Sequence, residues 1–125
     1  MIVGLGIDLV ETSRIARELR RQPWQAANGV FTAAEVGYCS AGRQPERRYA
    51  ACFAAKEATL KALGTEVSDL GIFREVEVRF ACGVERTIVL RNRLKAIAKE
   101  LGARHINLSI AAARKVVGAL VILES

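Results

Sequence analysis

Three positions in this chain could do chemistry because of what surrounds them. Asp8 lies in IVGLGIDLV, where the alternate positions on its own side of an extended chain are Gly4 and Gly6. A carboxylate next to two residues without side chains lets a bulky ligand approach the backbone beside a negative charge. Asp8 also suits the end of a strand, where it would accept hydrogen bonds from the following turn, and the spacing leaves both readings open. Lys56 is the second position. At about 100° per residue, Tyr49, Cys52, Phe53, Leu60 and Leu63 share one apolar arc of a helix, and Lys56 projects from its middle. A lysine there must snorkel, pair with an anion or line a pocket. The third is Glu57 with Lys61, on the flank of that arc at i and i+4. Taken by itself, this spacing favours an exposed ion pair worth roughly 0.2–0.5 kcal/mol.

Other polar residues are less pointed. His105, Asn107 and Ser109 alternate on one side of a late extended segment, and a lone histidine in such a place reads as structural. Cys39, Cys52 and Cys82 match no zinc or disulfide spacing; they read as reduced thiols of a cytosolic protein, and none is a candidate nucleophile. Around Ile15 and Leu19, the arginines Arg14, Arg17, Arg20 and Arg21 fill the opposite side of a first helix with only Glu18 to balance them. That imbalance favours an acidic docking partner over a merely solvated face.

These residues need a scaffold. Alternation over 2–10 predicts a first strand, with Val3, Leu5, Ile7 and Leu9 on one face and Gly4, Gly6 and Asp8 on the other. Thr12 or Ser13 caps a helix to about Arg21, ended by Gln22-Pro23. Thr32-Ala33-Ala34-Glu35 is a capping box for a short helix to about Cys39. Gly42 to Glu46 reads as a polar loop. An Ala-rich helix follows from about Arg47 to Leu63, with Gly64 as its stop. REVEVRF, residues 74–80, alternates as a strand with Val76, Val78 and Phe80 inward, paired to Val84–Leu90 across a Cys82-Gly83 turn. Leu94, Ile97, Ala98 and Leu101 mark a fourth helix closed by Gly102. Segments 106–111 and 116–123 form a final hairpin. The expected architecture is one α+β domain over residues 1–125.

Composition sets the class. The chain has 125 residues, 51% of them hydrophobic but few aromatic, so an ordered core of small aliphatic side chains is expected, and an oligomer would bury more of it. The apolar start is broken by Asp8 and has no basic leader, unlike a signal peptide. No apolar run reaches the roughly 20 residues of a membrane span. A net charge of +6 attracts nucleic acid, an acidic protein or a phosphate-rich small molecule.

GIDLVETSRI, FTAAEVGYC, RRYAACFAAKEATLKALG and HINLSIAAARKVVGALVILE, together and in this order, resemble the holo-acyl-carrier-protein synthase family of phosphopantetheinyl transferases. The most specific parts are the G-x-D-x-x-E opening and the F-A-x-K-E-A-x-x-K-A-x-G helix. The resemblance implies an α+β fold, a homotrimer with active sites between neighbouring subunits, and a cytoplasmic enzyme of lipid metabolism. It places magnesium on Asp8 and Glu57, and gives Lys61 a part in releasing the nucleotide. Lys56 falls beside the phosphates of coenzyme A, with Arg48 and Ser109 further candidates for that substrate. Arg14, followed on its helix by Arg17 and Arg21, would dock an acidic helix of the acyl carrier protein. The family often has arginine where this chain has Cys52, histidine where it has Asn107, histidine or an acid where it has Ala112, and G-K-P where it has Gly83-Val84-Glu85; Arg47 or Arg48 is expected to replace the first of these contacts.

The implied reaction moves 4′-phosphopantetheine from coenzyme A to a carrier serine and releases 3′,5′-ADP. Magnesium keeps several waters and needs only one or two carboxylates beside substrate phosphates. Phosphoryl transfer of this kind asks the protein for positioning and charge rather than a covalent nucleophile. A nucleic-acid-binding role would fit the charge, but stacking aromatics are scarce and no reader motif is present. A non-catalytic scaffold of the same fold is disfavoured by Asp8, Glu57, Lys56 and Lys61 all being kept. No membrane partner is expected.

Overall fold

The computed structural model describes residues 1–21, 29–80 and 86–125. The elements are β1 (Ile2–Glu11), α1 (Thr12–Arg21), α2 (Ala33–Ser40), α3 (Pro45–Ala62), a 3-10 turn (Leu70–Glu75), β2 (Val76–Phe80), β3 (Arg86–Leu90), α4 (Asn92–Leu101), β4 (His105–Ala112) and β5 (Val116–Glu124). One antiparallel sheet has the order β1-β5-β4, and β2 pairs antiparallel with β3 in a second. This is the expected α+β arrangement. The expected turn at Cys82-Gly83 and the helix stop at Gln22-Pro23 lie outside the described residues, as does Cys82.

The glycines of β1 set how the layers meet. They admit α3, not a ligand. A Cβ on Gly4 would drive into the Ala62 carbonyl and one on Gly6 into the Ala58 carbonyl. Two strand residues advance about 6.6 Å and four helix residues about 6 Å, so Gly4 and Gly6 keep step with Ala62 and Ala58 as strand and helix run past each other. Asp8 is the next residue in that series, and it arrives at the helix without a glycine's emptiness. The opposite face of β1 is turned outward: Leu5, Ile7 and Leu9 are 57%, 60% and 70% exposed.

α3 is buried on nearly all sides, so its apolar arc extends further than periodicity suggests. Its alanines Ala54, Ala58 and Ala62 are buried with β1 and β5 alongside, while Tyr49 meets Phe31 and Phe53 meets Phe73, with ring centroids 4.9 and 5.5 Å apart. Pro45 is the first residue of the helix rather than part of a loop, a position where its missing N–H is not needed. The C-terminus closes through Gly64 at φ +69°, with Thr65 N donating to Leu60 O at 3.1 Å.

Lys56 sits at the centre of this packing. Its ammonium is fully buried, 2.6 Å from Glu35 Oε1, and donates to Phe73 O at 2.7 Å and Val76 O at 2.8 Å. Glu35 accepts from Thr32 N through Oε1 and from Val78 N through Oε2, both at 2.8 Å. One ion pair thus ties α2, α3, the 3-10 turn and β2 together, while the capping box at Thr32 is intact.

β2 starts later than alternation suggests. Arg74 and Glu75 belong to the 3-10 turn, which Asp69 caps by accepting from Ile72 N at 3.1 Å. The Glu75 carboxylate is itself engaged, taking Arg93 Nε at 2.7 Å. Alternation cannot register such tertiary ties.

Candidate active site

β1 and α3 bring Asp8, Glu57 and Lys61 to one corner. Lys61 Nζ donates to Asp8 Oδ1 at 2.9 Å and to Ile7 O at 3.2 Å. The Asp8 side chain is 11% exposed and that of Lys61 55%. Glu57 is half-buried, and its carboxyl is near enough to Asp8 for the two charges to act on each other. Burial first, then the neighbouring Asp8 charge, raises the Glu57 carboxyl above the usual carboxylate range; Arg14 and Lys61 pull it back in part. The hydrogen bond to Asp8 raises Lys61, which stays protonated. The Glu57–Lys61 pair, bland as a spacing, therefore becomes part of a three-charge cluster once Asp8 is added from 49 residues upstream.

Two carboxylates that repel each other in a half-buried corner call for a cation. Among the described residues no cluster of three or more His, Cys, Asp or Glu side chains is placed to hold a metal ion. Two hard oxygen donors suit magnesium, which completes its shell with water and phosphate oxygens. The donor set therefore fits that ion.

The other site expectations divide. Lys56 is corrected: Glu35, Phe73 O and Val76 O take its three protons, so it has none for a coenzyme A phosphate and acts in the core. Arg48 lies flat on the Tyr38 ring, 4.0 Å from its centroid, and donates to Tyr38 O at 2.7 Å. It is nine residues from Glu57, about 13 Å along the helix, so it is not part of the carboxylate corner. Ser109 projects from the other face of the sheet: it pairs with Leu120, which pairs with Ile7, whereas Asp8 points to α3. Within one chain the two do not meet. Arg14, Arg17 and Arg21 are exposed on α1, and Arg14 stands 5.7 Å over the Phe53 ring while acting on Glu57. The arginine face thus borders the carboxylates. Cys52 and Cys39 are buried side by side, with burial pushing the Cys52 thiol up, so Cys52 is no surface contact.

A second cationic corner lies where the α3 N-terminus meets the β4–β5 hairpin. Arg47 donates to Ala113 O at 2.9 Å, and its buried Nε has no hydrogen-bond partner among the described residues. With Thr12, Gln44, Glu46 and Arg114 it lines a hollow of about 210 Å³. Arg114 could not have been found from spacing, because only the hairpin brings it to Arg47.

Comparison with known proteins identifies the family. The 4′-phosphopantetheinyl transferase superfamily matches residues 4–117. The holo-[acyl-carrier-protein] synthase of Moorella thermoacetica is 38% identical over 120 residues, covering 96% of this chain and 92% of the relative. That of Anaeromyxobacter dehalogenans is 40% identical, covering 99% and 97%. Among solved structures, the synthase of Neisseria meningitidis superposes with a TM-score of 0.86 at 28% identity over the whole of both chains. A Bacillus anthracis synthase in complex with CoA (3′,5′-ADP) superposes at 0.77 and 28%, covering 100% and 98%. The chain belongs to the 4′-phosphopantetheinyl transferase superfamily. Within it, the chain is an enzyme of the holo-[acyl-carrier-protein] synthase group.

Proposed function

We propose that this enzyme transfers the 4′-phosphopantetheine group of coenzyme A to a serine of an apo-acyl carrier protein, with release of 3′,5′-ADP. The observation that carries the reading is the meeting of Asp8 and Glu57, from the first strand and the central helix, with Lys61 against them. Asp8 and Glu57 would hold magnesium, which when bound neutralises charge on the diphosphate. The serine oxygen bonds to the phosphorus that carries pantetheine, and the bond from that phosphorus to the ADP oxygen breaks. A carboxylate oxygen of Glu57, from the half-buried corner beside Asp8, takes the serine proton. Lys61, long and more than half exposed, is free to turn from Asp8 to the departing oxygen.

Arg47 and Arg114 fit the 3′-phosphate at the nucleotide end of coenzyme A. Arg47 lies ten residues before Glu57, about 15 Å along α3, and its unpartnered Nε suits an anion. The arginines of α1 suit the acidic carrier: Arg14 borders the carboxylates, so a carrier docked there presents its serine to them.

The homotrimer is part of the same proposal. Leu5, Ile7 and Leu9 leave an apolar sheet face in water, with Leu120 and Ile122 beside them in register and Ser109 and Asn107 on its β4 edge. Covering that face with further copies would bury Ser109 against another chain. A cytoplasmic location fits this reaction. Among the described residues no helix is long and apolar enough to cross a membrane.

The test incubates the protein, coenzyme A, Mg²⁺ and apo-carrier, then weighs the carrier by mass spectrometry. A mass gain of one phosphopantetheine that disappears in Asp8→Ala and Glu57→Ala is expected. An unchanged carrier mass with the wild-type protein would overturn the reading.

A further inference from the structure

A groove on the far side of the molecule has the make-up of a site for an amphiphilic anion. It opens between α4 and the start of β4 and encloses about 550 Å³, within the roughly 300–1,000 Å³ of small-molecule pockets. Its floor is apolar, built from Ala98, Ala103 and Ile106, and its rim carries Lys95, Lys99 and Arg104. Lys95 and Lys99 stand one turn apart on α4, so both ammonium groups overhang the same opening. None of the three cations forms an ion pair among the described residues, whereas the neighbouring Arg91 and Arg93 are committed to Glu77 and to Asp69 and Glu75. Gly102, in the left-handed conformation at φ +76°, ends α4 and turns the chain so that Arg104 comes back to the rim.

This groove is separate from the carboxylate corner. In the sheet, Ile106 shares a row with Leu123 and Gly4, and Asp8 shares one with Ala119 and Ile110. The four-residue step from Ile106 to Ile110 spans about 13 Å. The arginine face of α1 is likewise made of other residues.

An apolar floor under unpaired cations is complementary to a chain that is apolar along its length and anionic at one end. The geometry points to a fatty acid carboxylate of medium length as the occupant, with the alkyl chain over Ala98, Ala103 and Ile106 and the carboxylate between Lys95, Lys99 and Arg104. A free phosphate offers nothing to the floor, and a neutral or cationic amphiphile offers nothing to the rim.

The experiment is calorimetric titration of the intact protein with octanoate, decanoate and laurate below their micelle concentrations. Each added methylene should tighten binding about fourfold until the floor is covered. Decyltrimethylammonium, with a like tail and the opposite charge, should bind at least tenfold more weakly than decanoate. Lys95→Glu with Lys99→Glu changes two exposed residues, and should weaken decanoate at least tenfold while the unfolding midpoint stays put. Ala103→Leu, which fills the floor, should weaken laurate more than octanoate. Equal binding of decanoate and decyltrimethylammonium, or decanoate binding unaltered in the double variant, would place the ligand elsewhere, as on the apolar sheet face, and overturn the inference. Absence of measurable binding by any of the three acids would also overturn it.

Discussion

Two lysines of α3, five residues apart, make opposite uses of the same chemistry. Lys56 meets Glu35 with both side chains fully buried and every proton of the ammonium taken. Lys61 meets Asp8 with its own side chain more than half in water, and the acid it touches is crowded by a second acid. The first cluster balances its charges and holds four elements together. The second leaves two carboxylates facing one half-exposed cation, an arrangement that binding a further positive charge would relieve. A satisfied ion pair is architecture; an unsatisfied one is where a substrate can act.

Breaking the inner pair should have the largest effect. Lys56→Met leaves Glu35 buried without its partner and should cost about 3–5 kcal/mol of stability, a large share of the roughly 5–15 kcal/mol a domain has; denaturant unfolding checks this. Adding Glu35→Gln should recover part of the loss. If Lys56→Met folds normally and instead raises KM for coenzyme A, the contrast between the two lysines is wrong.

At the outer cluster, activity should fall instead of stability. Asp8→Asn and Glu57→Gln should each lower kcat by about 10²–10³-fold. Glu57→Gln should also stabilise the metal-free protein at neutral pH, because it removes the charge that Asp8 and burial oppose. The sign follows from linkage: a carboxyl raised in the folded state adds stability that is fully present below its ordinary pKa of 4.5 and is lost as pH rises through the raised value. Thermal melts of the metal-free protein should therefore show less loss between acid and neutral pH in Glu57→Gln than in the wild type. Lys61→Ala should lower kcat by roughly 10²-fold, with partial rescue by arginine and little change in the melting midpoint.

Docking is the smallest effect. Arg14→Glu with Arg17→Glu should raise KM for the carrier roughly tenfold and leave KM for coenzyme A nearly unchanged, and added salt should mimic it in the wild type. Equal shifts for both substrates would remove α1 from the docking surface.

Much of this was legible before the fold was seen. Glycine stops at Gly64 and Gly102, the capping box at Thr32 and the antiparallel pairings of β2 with β3 and of β4 with β5 are local signals, and each appears where spacing puts it. Nothing about a lysine in an apolar arc says which anion it meets, and the partner of Lys56 is Glu35, 21 residues away in the chain. Gly4 and Gly6 told of a close approach without telling that a helix makes it. Arg48 and Ser109 depend on side-chain direction and on which sheet face turns to α3, and neither is encoded in alternation alone. Pro45 marked a helix start rather than a loop, a distinction that turns on one missing N–H. The Asp8–Glu57–Lys61 corner was reachable through the family resemblance; spacing by itself favoured a surface ion pair.

The central claim is that Asp8 and Glu57 act as one cation site. Mn²⁺ binding in the presence of coenzyme A, followed by electron paramagnetic resonance, tests it most directly. The wild-type protein should take up one ion per chain, and Asp8→Asn and Glu57→Gln should each weaken binding at least tenfold while both still fold. Uptake of Mn²⁺ by either variant at the wild-type affinity would contradict it.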